Sequence, residues 1–403
     1  MNDFQKKNTL YVFNATNYQD YPLGGALGTI QLFLKNTRFE PVLVGITNNL
    51  GQKIGKWTEI DVNERRLPFM PVANTKFNWI PHKILLVVGL LIHQKKIRDK
   101  FGDKKNINII LFVNREAYIP ARIIFKGVKN LNVFFKMTEA GNPLEISERK
   151  IGSVWILQAI YLHLFIRPML NAAKVIFSIN DECRQFCEQH LLTPEKRKKI
   201  KDVHHYIDYE NLRLHYEAAE VEKNNQTKQI VFWGRIAEVK GLDLVIKAVK
   251  LLKKENFNVQ LIAIGDGSER KNLEKMIIDQ GLQQEIMFPG RYPIERIAGC
   301  AKNSDVFVMA SHTEGIPTSM LEAMTFGLPV VSTAVGGIPT LIKNGVNGYL
   351  VYERDPSQFS DCIKKALRMD SGAVKSYNTE FIKEGYSVES VVAQMDSYME
   401  ATL

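Results

Sequence analysis

The feature that most constrains this chain is a succession of short apolar runs without polar alternation, each followed by a stretch of helical period. They fall at residues 9–14, 41–46, 106–113, 133–137 and 175–179, and again at 230–233, 259–264, 285–288, 306–310 and 329–333. A strand with one wet face alternates polar and apolar residues. A continuous apolar strand must be covered on both faces, which helices do when they connect parallel neighbours. The expected class is therefore α/β with parallel sheets, and two successive series predict two doubly wound domains. A length of 403 residues suits two or three domains.

The break between the series should lie between residues 194 and 228, where Pro194-Glu195-Lys196-Arg197-Lys198-Lys199 and the polar stretch 220–228 separate the apolar runs. The boundaries expected are 1–205 for an N-terminal domain and 206–385 for a C-terminal one. Val388, Val391, Val392, Met395 and Met399 have helical spacing on one face. Residues 386–403 should thus form a helix that buries that face, packing back on the N-terminal domain.

Composition excludes whole classes. With 45% apolar and 24% charged residues the chain is neither disordered nor collagen-like, and four cysteines do not make a disulfide scaffold. They fit a reducing compartment. Residues 1–7 lead into a strand-like run with no apolar segment of signal-peptide length, so export is not expected. The longest apolar stretch, 151–166, is interrupted by Gln158 and His163 and falls short of a membrane span.

Charge is uneven. The formal net charge is +10, and residues 1–210 carry +12 while the remainder carries −2. A basic half attracts anions: nucleic acid, a membrane surface or a phosphorylated substrate. Residues 84–92 are apolar and lead into Lys95, Lys96, Arg98 and Lys100. This segment reads either as an amphipathic helix on anionic lipid or as a core helix with a solvated basic end.

Three elements carry chemistry. In the first, Glu314 and Glu322 bracket Gly315-Ile316-Pro317-Thr318-Ser319-Met320-Leu321. Pro317 suits a first helical turn, residues 318–326 suit a helix, and Gly327 suits its end. The free N–H groups from Thr318 to Leu321 then form an anion site. A carboxylate beside a phosphate would be repelled, so the glutamates should serve sugar or ribose hydroxyls; a cap and a surface residue are the plain alternative. In the second, Arg235 and Lys240 follow the strand 230–233, where an open α/β sheet binds ligands, and they suit a diphosphate. In the third, Gly265-Asp266-Gly267 ends the strand 259–264. It is not a dinucleotide fingerprint, because Arg270 stands where the last glycine would be.

Taken in order, WGRIAEVKGLD, IGDGSE, FPGR, SDVFVMAS, EGIPTSMLEAM, GLPVVST, GGIPTLI and NGVNGYLV cover most of residues 230–351. This set resembles the retaining GT-B glycosyltransferases of family 4, the glycosyl transferases group 1. The resemblance implies two Rossmann-like doubly wound domains facing a central cleft. It implies transfer of a sugar from a nucleotide-diphosphate sugar, a UDP-sugar ahead of a GDP-sugar, to a hydroxyl of a glycan or lipid-linked acceptor. It further implies a bacterial surface-polysaccharide role in capsule, lipopolysaccharide or exopolysaccharide synthesis, and a hexosyltransferase working by front-face displacement. Arg235 and Lys240 match the pair that neutralises the donor diphosphate, Glu314 the carboxylate near the transferred sugar, and Glu322 the ribose ligand. Catalysis thus falls to Glu314, Arg235 and Lys240. Donor binding extends to Gly234, Gly265, Gly267, Gly315, Ile316, Pro317, Ser319, Met320, Leu321 and Glu322. Gly24 and Gly25 match the glycine-rich loop after the first strand, where the backbone approaches the diphosphate.

One departure stands out. Many such enzymes carry a histidine on a middle loop of the N-terminal domain, and residues 135–143 hold none; Thr138 and Glu139 are the acceptor-side candidates. No D-x-D motif is present, in keeping with a site that needs no metal. Cys183 and Cys187 share a helical face without zinc-like partners and read as buried thiols. His204, His205 and His312 read as structural. The expected location is cytoplasmic or peripheral on the inner face of the cytoplasmic membrane. Two rivals are a GT-B nucleotide-sugar epimerase, which needs more catalytic groups in the N-terminal half, and a nucleic-acid binder using the basic half, for which no binding motif is seen.

Overall fold

The computed structural model describes residues 9–20, 25–49, 51–75, 80–101, 106–112, 114–137, 159–191, 193–220 and 227–403. The chain divides into two compact units, Met1–His204 with Val388–Leu403, and His205–Ser387.

In the first unit, β1 (Thr9–Phe13), β2 (Glu40–Thr47), β3 (Thr58–Val62), β4 (Arg65–Asn74), β5 (Asn106–Leu111), β6 (Asn130–Lys136), β7 (Val175–Ser178) and β8 (Ile200–Asp202) form one sheet. Its order is β3-β4-β2-β1-β5-β6-β7-β8. Its described pairings are parallel except β3 with β4. The direction of winding reverses between β1 and β5, so ligands of this unit belong at the carboxyl ends of those strands.

Three of these strands escape the apolar-run reading for physical reasons. β3 reads TEIDV with alternating exposure, the pattern of an edge strand. Its hairpin to β4 turns at Asn63-Glu64 with φ of 46° and 67°, a primed turn without the usual glycine. β4 contains Pro68 and Pro71, which demote a run on sequence, and its register against β2 shifts between Gly45 and Ile46. β8 is three residues long.

The helix Val388–Glu400 belongs to the first unit and packs against the helix Gly25–Asn36. Val388, Val391, Val392, Met395 and Met399 are all buried. Asp396, also buried, accepts from Thr37 Oγ1 at 2.8 Å and from the Arg38 N–H at 2.7 Å. Burial raises the pKa of its carboxyl.

In the second unit, β9 (Lys228–Trp233), β10 (Val259–Ile264), β11 (Ile286–Gly290), β12 (Val306–Met309), β13 (Val330–Thr333) and β14 (Gly348–Val351) form a parallel sheet of order β11-β10-β9-β12-β13-β14. Renumbered within the unit this is 3-2-1-4-5-6, the Rossmann order, and the winding reverses between β9 and β12. Both faces are covered. Ile230 and Phe232 pack on one side with the helix Leu242–Lys254. Val231 and Trp233 pack on the other with Phe307 and the helix Thr318–Thr325. Each large apolar side chain so buried contributes about 1.5–3 kcal/mol. A charge at Val249, at the centre of the first helix's buried face, would break that layer.

Candidate functional site

The site is built at the carboxyl ends of β9 and β12, where the second unit changes winding direction. After Trp233 the chain passes through Gly234, at φ 150°, to Arg235, then a single 3-10 turn, Glu238–Lys240, and Gly241 at φ 60°. After Met309 it runs through Ser311 and Glu314 into the helix Thr318–Thr325. The loops are tied together by the His312 N–H donating to the Val239 carbonyl at 2.8 Å.

Lys240 Nζ lies 2.6 Å from Glu314 Oε1, and both side chains are largely withdrawn from solvent, 16% and 13% exposed. Ser311 Oγ donates to the same carboxylate oxygen at 2.6 Å, and Thr333 Oγ1 fixes Ser311 through its carbonyl at 2.7 Å. The cation and the carboxylate expected for diphosphate and sugar therefore hold each other. A lysine ammonium carries three donors, so Lys240 can keep Glu314 while offering an N–H to an anion. Arg235 is exposed and, among the described residues, has no carboxylate partner.

Glu322 is partly buried one turn inside the helix. The indole N–H of Trp233 donates to its Oε2 at 2.6 Å. Burial raises the Glu322 pKa, and the indole bond opposes that rise. Trp233 is held edge-on to Phe307, with centroids 4.6 Å apart. Sequence reasoning missed this tryptophan because it reads as the last apolar residue of a core strand.

Close backbone approach explains several glycines. A Cβ at Gly265 would sit 1.8 Å from the Gly234 carbonyl oxygen, and one at Gly267 would sit 2.2 Å from that of Ile236. Gly234 N–H donates to the Ile264 carbonyl and Ile236 N–H to that of Asp266, both at 3.0 Å. These glycines press the turn after β10 against the Arg235 loop. Gly336, at φ 55°, does the same for Glu314, since its Cβ would lie 1.7 Å from the Glu314 carbonyl oxygen. Gly337 N–H donates to the Gly315 carbonyl at 3.0 Å.

The helix start needs a correction. Pro317 is the residue before the helix rather than within its first turn, and no side chain caps it. The N–H groups of Met320 and Leu321 are not free: they donate to the Pro317 carbonyl at 3.1 and 3.3 Å. Both side chains are buried in the core. The groups open to an anion are those of Thr318 and Ser319 in the first turn. Ile316 is half-buried beside Gly337. Gly25 is the first residue of a helix in the other unit. Gly24, Thr138 and Glu139 lie outside the described residues.

A cavity of about 410 Å³ opens beside Arg235, at the carboxyl ends of β9, β10 and β11, with Trp233, Gly267, Arg291, Tyr292 and Ile297 in its wall. The Arg296 guanidinium lies 3.8 Å from the Tyr292 ring centroid, bracing it. Such a wall suits a flat heteroaromatic group. Arg291 ends the FPGR stretch, but neither charge nor period distinguished it or Tyr292. A second cavity, about 360 Å³, has Lys228 and Asp305 in its wall, at the starts of β9 and β12, and so lies at the opposite edge of the sheet from these groups.

In the first unit, the carboxyl end of β5 leads to Arg115 and Glu116, both buried. Glu116 Oε1 accepts from Tyr161 at 2.6 Å and pairs with Lys83 at 3.2 Å. Sequence reasoning passed over this cluster; a charged pair directly after a buried strand was the available signal. Cys183 and Cys187 are buried free thiols, and burial pushes Cys187 up to about 12. Among the described residues no group of three or more His, Cys, Asp or Glu side chains could hold a metal ion. His205 Nε2 lies 3.0 Å from Thr318 Oγ1, and His312 is exposed.

Residues 216–400 match the family Glycosyl transferases group 1. The chain is 29% identical over 181 residues to a putative colanic acid biosynthesis glycosyltransferase, WcaL, of Salmonella typhimurium, covering 43% of this chain and 45% of that one. It is 31% identical over 207 residues to the amylovoran biosynthesis glycosyltransferase AmsK of Erwinia amylovora, covering 48% and 50%. Each match thus spans about half of the relative's length. Among solved structures, sucrose-phosphate synthase from Thermosynechococcus elongatus superposes with a TM-score of 0.72 at 15% identity, over 98% of both chains. HepE of Anabaena, in complex with UDP and glucose, superposes at 0.66 and 16% identity, over 98% of this chain and 99% of that one. The fold is that of the GT-B glycosyltransferases, and the stretch resembling group 1 glycosyl transferases is the one that builds the site at β9 and β12.

Proposed function

We propose that this chain is a retaining glycosyltransferase of family 4 that moves a hexosyl group from a nucleotide-diphosphate sugar to a hydroxyl of a glycan or lipid-linked acceptor. The observation that carries the reading is the Lys240–Glu314 pair beside the exposed Arg235, at the point where the sheet changes winding direction. The 2.6 Å contact between Lys240 Nζ and Glu314 Oε1 supports a reading in which the diphosphate cation and the sugar-holding carboxylate work side by side.

In this reading Arg235 and Lys240 stabilise charge that grows on the diphosphate as the glycosidic bond breaks, aided by the Thr318 and Ser319 N–H groups. Glu314 orients the transferred sugar and Glu322 the ribose, while the nucleobase lies against Tyr292. The two side-chain cations supply the charge neutralisation, so the reaction needs no metal. A UDP-sugar is the first choice of donor, supported by the UDP and glucose held by HepE, and a GDP-sugar the second. The names of WcaL and AmsK support a role in bacterial surface-polysaccharide synthesis. The proposed location is the cytoplasm, at the inner face of its membrane.

Thermal unfolding with UDP, GDP, ADP and CMP, with and without EDTA, tests this. A ligand at 100 times its Kd adds about 2.7 kcal/mol of apparent stability. Stabilisation by one nucleoside diphosphate, unaffected by EDTA and lost in Arg235→Ala, is the expected result. No stabilisation by any of them would overturn the donor site.

A further inference from the structure

The helix His82–Ile92 lies on β4 by its Leu86, Gly89 and Leu90 face. A Cβ at Gly89 would stand 2.5 Å from the Val72 carbonyl oxygen, so the backbones are in direct contact and the helix cannot roll. The opposite face is thereby committed outward. It carries Ile84, Val88 and Ile92, one turn apart, with exposures of 52%, 47% and 70%. The helix Tyr118–Ile124, packed alongside, adds the exposed Ile123. Ile84, Val88, Ile92 and Ile123 are thus exposed together on two helices that pack side by side.

The surroundings of this ridge are basic. Residues 82–101 and 118–130 hold eight Lys or Arg and one acidic residue, Asp99. Lys83 is paired with Glu116 and Arg98 donates to the Lys126 carbonyl. Lys95, Lys96, Lys100, Arg122, Lys126 and Lys129 are exposed. A second copy of the chain in two-fold contact here would set these cations against themselves. An apolar ridge bordered by cations matches the layering of an anionic bilayer, acyl chains below and phosphates above.

We propose that this flank of the first unit docks on an anionic lipid bilayer, with Ile84, Val88 and Ile92 inserted below the headgroups and the basic side chains among them. The surface extends the lipid-linked acceptor reading but does not depend on it: Lys83 lies in the first turn of the helix and its partner Glu116 follows the carboxyl end of β5, so a lipid-borne group would lie close to the ligand edge of that sheet. Loss of sugar transfer with membrane binding intact would sink that reading and leave this one.

The test is flotation of the full chain with phosphatidylcholine vesicles containing about one third phosphatidylglycerol, against pure phosphatidylcholine. Salt-sensitive binding to the first and little to the second is expected. Ile84→Ser with Val88→Ser and Ile92→Ser should weaken it by at least about tenfold with all charges kept. Lys95→Gln and Lys96→Gln should each weaken it about fivefold. Unchanged thermal unfolding shows that the triple variant folds; should it not, Ile92→Ser alone serves, at the most exposed of the three positions. Equal binding to both vesicles, wild-type binding by the apolar variant, or a concentration-dependent dimer that the variant abolishes would each overturn the proposal.

Discussion

Trp233→Phe separates the two roles of the indole. Phenylalanine keeps an aromatic ring against Phe307 and removes the N–H that reaches Glu322 Oε2 at 2.6 Å. A hydrogen bond to a charged partner contributes about 1.5–3 kcal/mol. For a unit of this size each kcal/mol moves Tm by about 2–4 °C, so the unfolding of the second unit should shift down by about 3–12 °C. The ligand effect has a defined sign. Burial already raises the Glu322 pKa and the indole bond lowers it. Removing that bond lets it rise further, so Glu322 becomes neutral at a higher pH, and the neutral carboxyl is a poorer acceptor for ribose hydroxyls. UDP affinity, measured by calorimetry across pH, should therefore fall away earlier on acidification in the variant. The 2′,3′-dideoxy nucleotide, which lacks those hydroxyls, should bind wild type and variant alike. Equal losses for both nucleotides would refute the assignment of Glu322 to ribose; an unchanged Tm would refute the bond itself.

Arg235→Ala and Lys240→Ala should each weaken a nucleoside diphosphate by about ten- to a hundredfold in calorimetry, the range for a charge-assisted bond. Gly265→Ala puts a Cβ at φ 145° and 1.8 Å from the Gly234 carbonyl oxygen, and should cost at least about 2 kcal/mol in denaturant unfolding. Glu64→Gly relieves a side chain at φ 67° in the β3–β4 turn and should stabilise the first unit by about 0.5–1 kcal/mol. Burial lowers Lys136 to about 7. The unfolded chain therefore binds more protons than the folded one between about pH 7 and the usual lysine value, and stability of the first unit should rise across that window by up to about 1.4 kcal/mol per pH unit. Lys136→Met should flatten the slope in pH-dependent unfolding.

Most of the second unit was legible because its central strands are buried on both faces and so announce themselves by composition; β14 (Gly348–Val351), only four residues long, was not among the runs read. Val259–Ile264 has the bounds read from the residues, and the other runs differ by a few residues at their ends. The register of helix 388–400 was equally plain, since Asp396 is the one buried polar group among its buried apolar positions. What was hidden is of two kinds. β3 and β4 contradict local rules, with a wet edge and two prolines, and are settled by pairing partners that no local pattern displays. In the site, charge and spacing pointed to Arg235, Lys240, Glu314 and Glu322. They did not show that Lys240 and Glu314 hold each other, or that Pro317 takes up the N–H groups of Met320 and Leu321. Tyr292 stayed hidden because an aromatic residue after a strand looks the same whether it packs in the core or lines a cavity.

The glycines at 265, 267 and 336 carry a lesson for anyone who would re-engineer the proposed donor site. Each sits where another loop's carbonyl occupies the space of a Cβ, so the Arg235 and Glu314 loops are seated against neighbouring backbone rather than against exchangeable side chains. Loop grafting or length variation there would unseat several segments together. Libraries confined to the side chains around the 410 Å³ cavity, Arg291, Tyr292 and Ile297, vary the cavity wall while the frame stays put.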